Sequence, residues 1–152
     1  MPAALFAAVF IALYVAHSLG DHWVQSSCQA STKGDEGWAG RLACARHVVT
    51  LTLTKGTALV VVATLLHLHL TLAGVATGMT VDAASHYWAD RRSTLLWLAK
   101  ALGRGGYPEY VTVVRKPDQE ADTTGPGTGA FHLDQSWHLL WLLVAALIIA
   151  TV

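Results

Sequence analysis

Apolar residues run almost unbroken from Pro2 to Gly20 and again from Phe131 to Val152, while polar and apolar stretches alternate between them. The two terminal stretches each have the length of a membrane-spanning helix. The middle admits two readings. Gly56 to Val81 carries no formal charge and would make one helix by hydropathy alone. The alternative is two helices, Arg41–Leu70 and Ala73–Arg92, with the turn near Leu72–Gly74. Basic residues discriminate between them. Lys33, Arg41 and Arg46 follow the first span, and Arg91, Arg92, Lys100, Arg104, Arg115 and Lys116 precede the last. Four spans put both clusters on one side of the membrane, as the positive-inside rule requires, whereas three would leave the larger cluster outside.

The expected architecture is therefore all-α: a polytopic four-helix transmembrane bundle with spans 2–20, 41–70, 73–92 and 131–152, two cytoplasmic loops and both termini outside. A cytoplasmic membrane is the expected setting. The first stretch has no basic region and no convincing small-residue cleavage site, so it reads as a retained helix and not as a signal peptide. Ser26–Gly40 reads as loop. Ser93 is placed to cap an amphipathic surface segment, TLLWLAKALG. Gly103–Gly129 reads as a flexible connection with one short strand at Tyr110–Val114. Lys55 falls inside the second span and must snorkel or face the bundle interior.

Composition agrees with a membrane setting. Only 13% of the 152 residues are charged and 53% are hydrophobic, against about 25% charged in soluble domains. That length fits a single domain, residues 1–152. Net charge is zero and the basic residues are dispersed, which argues against a nucleic-acid partner. Cys28 and Cys44, the only cysteines, make no disulfide framework and are expected to stay reduced.

Three times a histidine and an aspartate stand four residues apart: His17/Asp21, His86/Asp90 and Asp134/His138. That spacing places both side chains on one helical face. Ionisable groups inside a membrane cost about 2.5–3.5 kcal/mol each, so three such pairs call for compensation. In the four-span topology all three pairs lie at the cytoplasmic boundary, as does His47 near the start of the second span. Four imidazoles and three carboxylates at one level exceed a single tetrahedral site with an open position. They suit two metals, or one metal with hydrogen-bonded outer partners. Mixed nitrogen and oxygen ligation is compatible with zinc, manganese or iron, with zinc favoured.

The competing reading of any single pair is a polar contact that glues two helices together, and Asp134 could serve only the helix dipole. A proton or ion path is a third reading, with Asp82, Lys55, His67 and His69 as its only candidates for continuation. Asp82 continues the face of His86 and Asp90 one turn deeper, and reads equally as an outer partner of the ligands or as standing apart from them. Gln25 extends the stripe of His17 and Asp21 beyond the helix end. His22, His67, His69 and His132 read as interfacial, and Thr50 and Thr54 as hydrogen-bonding across helices. Trp23, Trp88, Trp137 and Trp141 form the aromatic belt expected at that level.

The runs HSLGDHWVQ, GWAGRLACARHVVT, SHYWADRR and LDQSWHLLWL resemble a family of small bacterial membrane proteins of unknown function, found widely, including in actinobacteria and their mobile elements. The family pattern is H-x3-D followed by glutamine, a lone histidine opening the second helix, H-x3-D in the third and D-Q-x2-H in the fourth. It falls here on His17, Asp21 and Gln25, on His47, on His86 and Asp90, and on Asp134, Gln135 and His138. Relatives often carry an acidic residue and a histidine where this chain has Ser27 and Cys28, which implies that a ligand role in that loop is lost or altered here. The family is also similar to inner-membrane metal-dependent hydrolases predicted from sequence.

The expected function is metal-dependent hydrolysis at the cytoplasmic membrane face. One or two divalent cations are bound by His17, Asp21, His47, His86, Asp90, Asp134 and His138, and either Asp90 or Asp134 is the general base. A phosphoester or lipid headgroup is the guessed substrate, and no oligomeric state is implied. A non-enzymatic protein of a mobile element, with a structural metal or a polar network, is the alternative, beside metal or proton transport.

Overall fold

The computed structural model describes residues 2–152, and its secondary structure is helical apart from one isolated antiparallel β-bridge between Val113 and Asp122. Helix α1, Pro2–Leu19, continues into a π-helical turn at Gly20–Val24. The short α2, Ser27–Thr32, follows, and then the long α3, Gly37–Leu65. Helix α4 covers Leu72–Asp90, α5 Ser93–Ala101, α6 Gly106–Tyr110 and α7 Gly129–Thr151.

The four long helices α1, α3, α4 and α7 pack together, with α7 against α4 and α1, and α3 against α1 and α4. Three segments are long and apolar enough to cross a membrane: Ala3–Val24, Gly37–Leu65 and Gly129–Thr151. Helix α4, which carries Asp82, His86 and Asp90, is not among them. The four long helices fall where four spans were expected, with shifted boundaries. The second ends at Leu65, not Leu70, and begins at Gly37, not Arg41. The turn lies before Leu72, because Thr71 caps α4: its hydroxyl accepts the Gly74 N–H at 2.9 Å.

Three further expectations are corrected. Ser26–Gly40 is not all loop, since Ser26 and Gln29 form a reciprocal capping box that starts α2. Ser93 does not cap α5. The capping position is Arg92, with φ 57° and no side-chain cap, and the Ser93 hydroxyl turns back to the Arg91 carbonyl at 3.2 Å. The expected strand at Tyr110–Val114 is reduced to the single bridge. In that connection Asp122 accepts from the Thr124 and Gly125 N–H groups and from Arg115. The Thr124 N–H and then the Arg115 guanidinium hold its carboxyl down to about 2.

One end of the bundle is apolar: Val9, Leu13, Leu59, Met79, Leu142, Ala145 and Ile149 are buried against one another. The α4–α7 seam depends on small residues. A Cβ on Gly78 would lie 2.8 Å from the Ala145 carbonyl oxygen and 2.6 Å from Ile149 Cγ1. Alanine would bring a helix-propensity gain of about 0.5–1 kcal/mol, but relieving a clash with backbone costs about 1–3 kcal/mol. Gly78→Ala is therefore expected to lower the melting temperature of the detergent-solubilised protein. A rise would mean that the seam has slack.

Midway along the bundle, Lys55 is fully buried and faces the interior, its Nζ 2.6 Å from Asp82 Oδ2. This settles how the second long helix tolerates a lysine.

Candidate metal centre

The polar end of the bundle is where α1 ends, α3 begins, α4 ends and α7 begins. Helical spacing turns each His/Asp pair inward there, and the π-helical turn after α1 carries Asp21. Such turns are frequent at functional sites. Against it packs Leu51: a Cβ on Gly20 would meet Leu51 Cδ1.

The convergence is centred on His47 and His86. His47 Nε2 lies 3.1 Å from His86 Nε2, 3.2 Å from Asp21 Oδ1 and 3.4 Å from Asp90 Oδ2. His86 Nε2 is 3.1 Å from Asp90 Oδ2, and His138 Nε2 is 3.8 Å from Asp90 Oδ1. The His86 and His138 rings stack at 3.9 Å. An imidazole nitrogen carries at most one proton, so His47 Nε2 cannot donate to His86, Asp21 and Asp90 together. Electron-pair donors gathered this closely suit a shared cation.

Two groups meet that geometry: Asp21, His47 and His86, and His86, Asp90 and His138, each with donor atoms within 4.8 Å of one another. His86 belongs to both. Of the seven residues expected as ligands, five fall in these groups and two stand at their edge. His17 Nε2 is 3.5 Å from Asp21 Oδ2, and Asp134 Oδ1 is 3.4 Å from His138 Nε2.

Several of these atoms lack hydrogen-bond partners among the described residues. Asp90 Oδ2, Asp21 Oδ1, His138 Nε2 and both nitrogens of His17 are buried in this state, while Asp90 Oδ1 faces the Lys33 ammonium. A buried polar atom without a partner costs about 1–3 kcal/mol, more if charged. So many in one cluster fit a group that takes electron pairs. The mixed nitrogen–oxygen set suits zinc, manganese or iron.

The remaining candidates lie elsewhere. Asp82 is engaged by Lys55 and is not an outer partner of the histidines. Thr50 and Thr54 bond carbonyls of their own helix and not across helices. His22, His67, His69 and His132 are exposed, and the His22 ring nitrogen Nδ1 contacts the Ser18 carbonyl oxygen at 2.8 Å. Cys28 is exposed, while Cys44 is buried within α3, its thiol directed at the Tyr87 carbonyl. Trp88, Trp137 and Trp141 form a chain of ring contacts at 5.0 and 5.8 Å, with Trp23 exposed apart from it. Beyond Lys55 and Asp82 the apolar core closes the bundle.

The cluster is reached through a pocket of about 500 Å³. Asp21, Asp90 and Asp134 line it, with Gln25, Gln135, Lys33 and Arg92, and Leu95, Leu96 and Phe131 give it an apolar side. Sequence reading missed Lys33, which it placed in a loop. Its Nζ lies 2.8 Å from Asp90 Oδ1, because α2 folds back across the end of the bundle. Arg91 and Arg92 hold that fold. Arg91 donates to the Lys33 and Asp35 carbonyls, and Arg92 to the Ala30 carbonyl at 3.0 Å. The Ser26 capping box was the one local signal that a structured segment follows Gln25.

Fold and site together define a class: an all-helical protein with three helices long and apolar enough to cross a membrane and buried His/Asp groups that could hold a metal ion. The chain belongs to the family described as protein of unknown function (DUF3307), which matches residues 9–152. No curated protein and no solved structure matches it.

Proposed function

We propose that this chain is a membrane-embedded, metal-dependent hydrolase acting at the cytoplasmic face of a bacterial inner membrane. The helices α1, α3, α4 and α7 cross the membrane, with both termini outside. The observation that carries this reading is the pocket: the imidazoles are buried, while three carboxylates that belong to or flank the His/Asp groups line an open cavity. A structural metal would be enclosed by protein groups, and a catalytic one keeps an accessible position.

One or two divalent cations, zinc first, would be held by Asp21, His47, His86, Asp90 and His138, with His17 and Asp134 adjoining. A bound cation lowers the pKa of water and polarises the ester to be cleaved. The two candidate bases divide by environment. Asp90 is 1% exposed and lies near three imidazoles, which suits a ligand. Asp134 is 25% exposed on the pocket, where it can take a proton from water and pass it outward. Gln135 Nε2 approaches its Oδ2 at 3.4 Å and orients it. A phosphoester or lipid headgroup is the substrate proposed. The apolar core beyond Lys55 and Asp82 supports this reading over transport, since no polar path continues there among the described residues.

The test is hydrolysis of chromogenic phosphate mono- and diesters by zinc-, manganese- or iron-loaded protein in detergent. Asp134→Asn is expected to lower the rate by about 10²–10⁴-fold while leaving metal content unchanged. Inertness of every metal-loaded form towards phosphoesters and phospholipids would contradict the proposal.

A further inference from the structure

We propose that the pocket takes the phosphate of a phosphorylated lipid between Lys33 and Arg92, with the acyl chain lying along Leu95, Leu96 and Phe131. This rests on the metal-centre reading. Three carboxylates opposite two cationic side chains leave the pocket anionic; one divalent cation on the His/Asp cluster reverses that sign and makes an anion welcome.

Lys33 is the first element. It is 12% exposed and its ammonium sits against Asp90, where it is held by a folded segment and not by a free loop. Lys33 also lines the pocket, so an anion bound there would meet its ammonium beside Asp90. Arg92 is the second. Its backbone is at φ 57°, a region unfavourable for a residue with a side chain, where glycine would relieve the strain. Its guanidinium donates to the Ala30 carbonyl and also lines the pocket. That bond to α2 fixes the guanidinium at the pocket wall, and a guanidinium matches phosphate geometry.

The apolar side distinguishes a lipid from free phosphate. Leu95 and Leu96 belong to α5, which exposes Trp97, and Leu102 just past its end is exposed too. A short helix with apolar residues both packed inward and facing out suits the membrane boundary. A lipid whose headgroup occupied the pocket would meet its apolar wall of Leu95, Leu96 and Phe131 with its acyl chains.

Binding by the zinc-loaded full chain in detergent tests this, read by native mass spectrometry with zinc content measured on the same sample. The probes are dioleoyl phosphatidic acid, dioleoylglycerol and inorganic phosphate. Phosphatidic acid is expected to bind at least about tenfold more tightly than either of the others. Lys33→Gln and Arg92→Gln are each expected to weaken it by about ten- to a hundredfold, while Lys33→Arg retains most of the affinity. Equal binding of dioleoylglycerol would overturn the phosphate clamp. Equal binding of inorganic phosphate would overturn the lipid. Unchanged affinity in both glutamine variants, or Lys33→Arg as weak as Lys33→Gln, would overturn the assignment of the residues. Any of these with zinc present leaves the hydrolase reading standing, whereas a chain that takes up no metal removes both.

Discussion

Lys55→Met is expected to be the most destabilising single substitution in the bundle. Lys55 is fully buried and its ammonium lies 2.6 Å from Asp82, itself 3% exposed. Removing the cation leaves a carboxylate in the bundle interior with no opposite charge beside it. Breaking a buried pair in this way costs about 3–5 kcal/mol, although replacing both partners by apolar groups is often neutral or stabilising. The double variant Lys55→Met/Asp82→Leu should therefore recover most of the stability lost by Lys55→Met. Thermal or denaturant unfolding in detergent reads both. If Lys55→Met melted with the wild type, the pair would contribute nothing, and the account of how the second long helix tolerates a lysine would fail. Metal content of the double variant should stay at the wild-type level, because Asp82 lies outside both donor groups.

Asp90→Ala is expected to have the largest effect on the metal centre. The carboxylate is approached by His47, His86 and His138 and by Lys33, so one substitution removes a contact from four side chains. Loss of an outer partner of a ligand lowers metal affinity by about 10–100-fold, and loss of a ligand itself should exceed that. The protein should still fold, since Asp90 terminates α4 and lies away from the apolar core. Titration with zinc in the presence of a competing chelator measures the change. An affinity within error of the wild type would place the cation elsewhere or nowhere. The same variant also frees the Lys33 ammonium, so a stability gain with no metal effect would mark the cluster as a purely polar network.

The sequence made much of this arrangement readable, for a specific reason. Four-residue spacing fixes a helical face regardless of what surrounds it, so the inward-facing pairs His17/Asp21, His86/Asp90 and Asp134/His138 could be read before any packing was known. The distribution of lysine and arginine then suggested four long helices that return to one level. Charge counting had no means of showing that Lys33 leaves the solvated loop and meets Asp90, because that contact depends on α2 folding back under Arg91 and Arg92. The capping box of Ser26 and Gln29 was visible but short, and a six-residue helix lies below what periodicity resolves. Ser93 looked like a cap by residue type, yet the chain places Arg92 there in a strained conformation, and residue preference does not anticipate strain. Asp82 and Lys55 could each be placed on a face, but their mutual pairing required knowing which faces of α3 and α4 meet.

Elemental analysis of the detergent-purified protein tests the central claim most directly, with wild type beside His86→Ala, since His86 belongs to both donor groups. One or two equivalents of zinc, manganese or iron in the wild type, lost in His86→Ala, is the predicted result. A wild-type protein that holds no metal, even after incubation with each of the three, would contradict it.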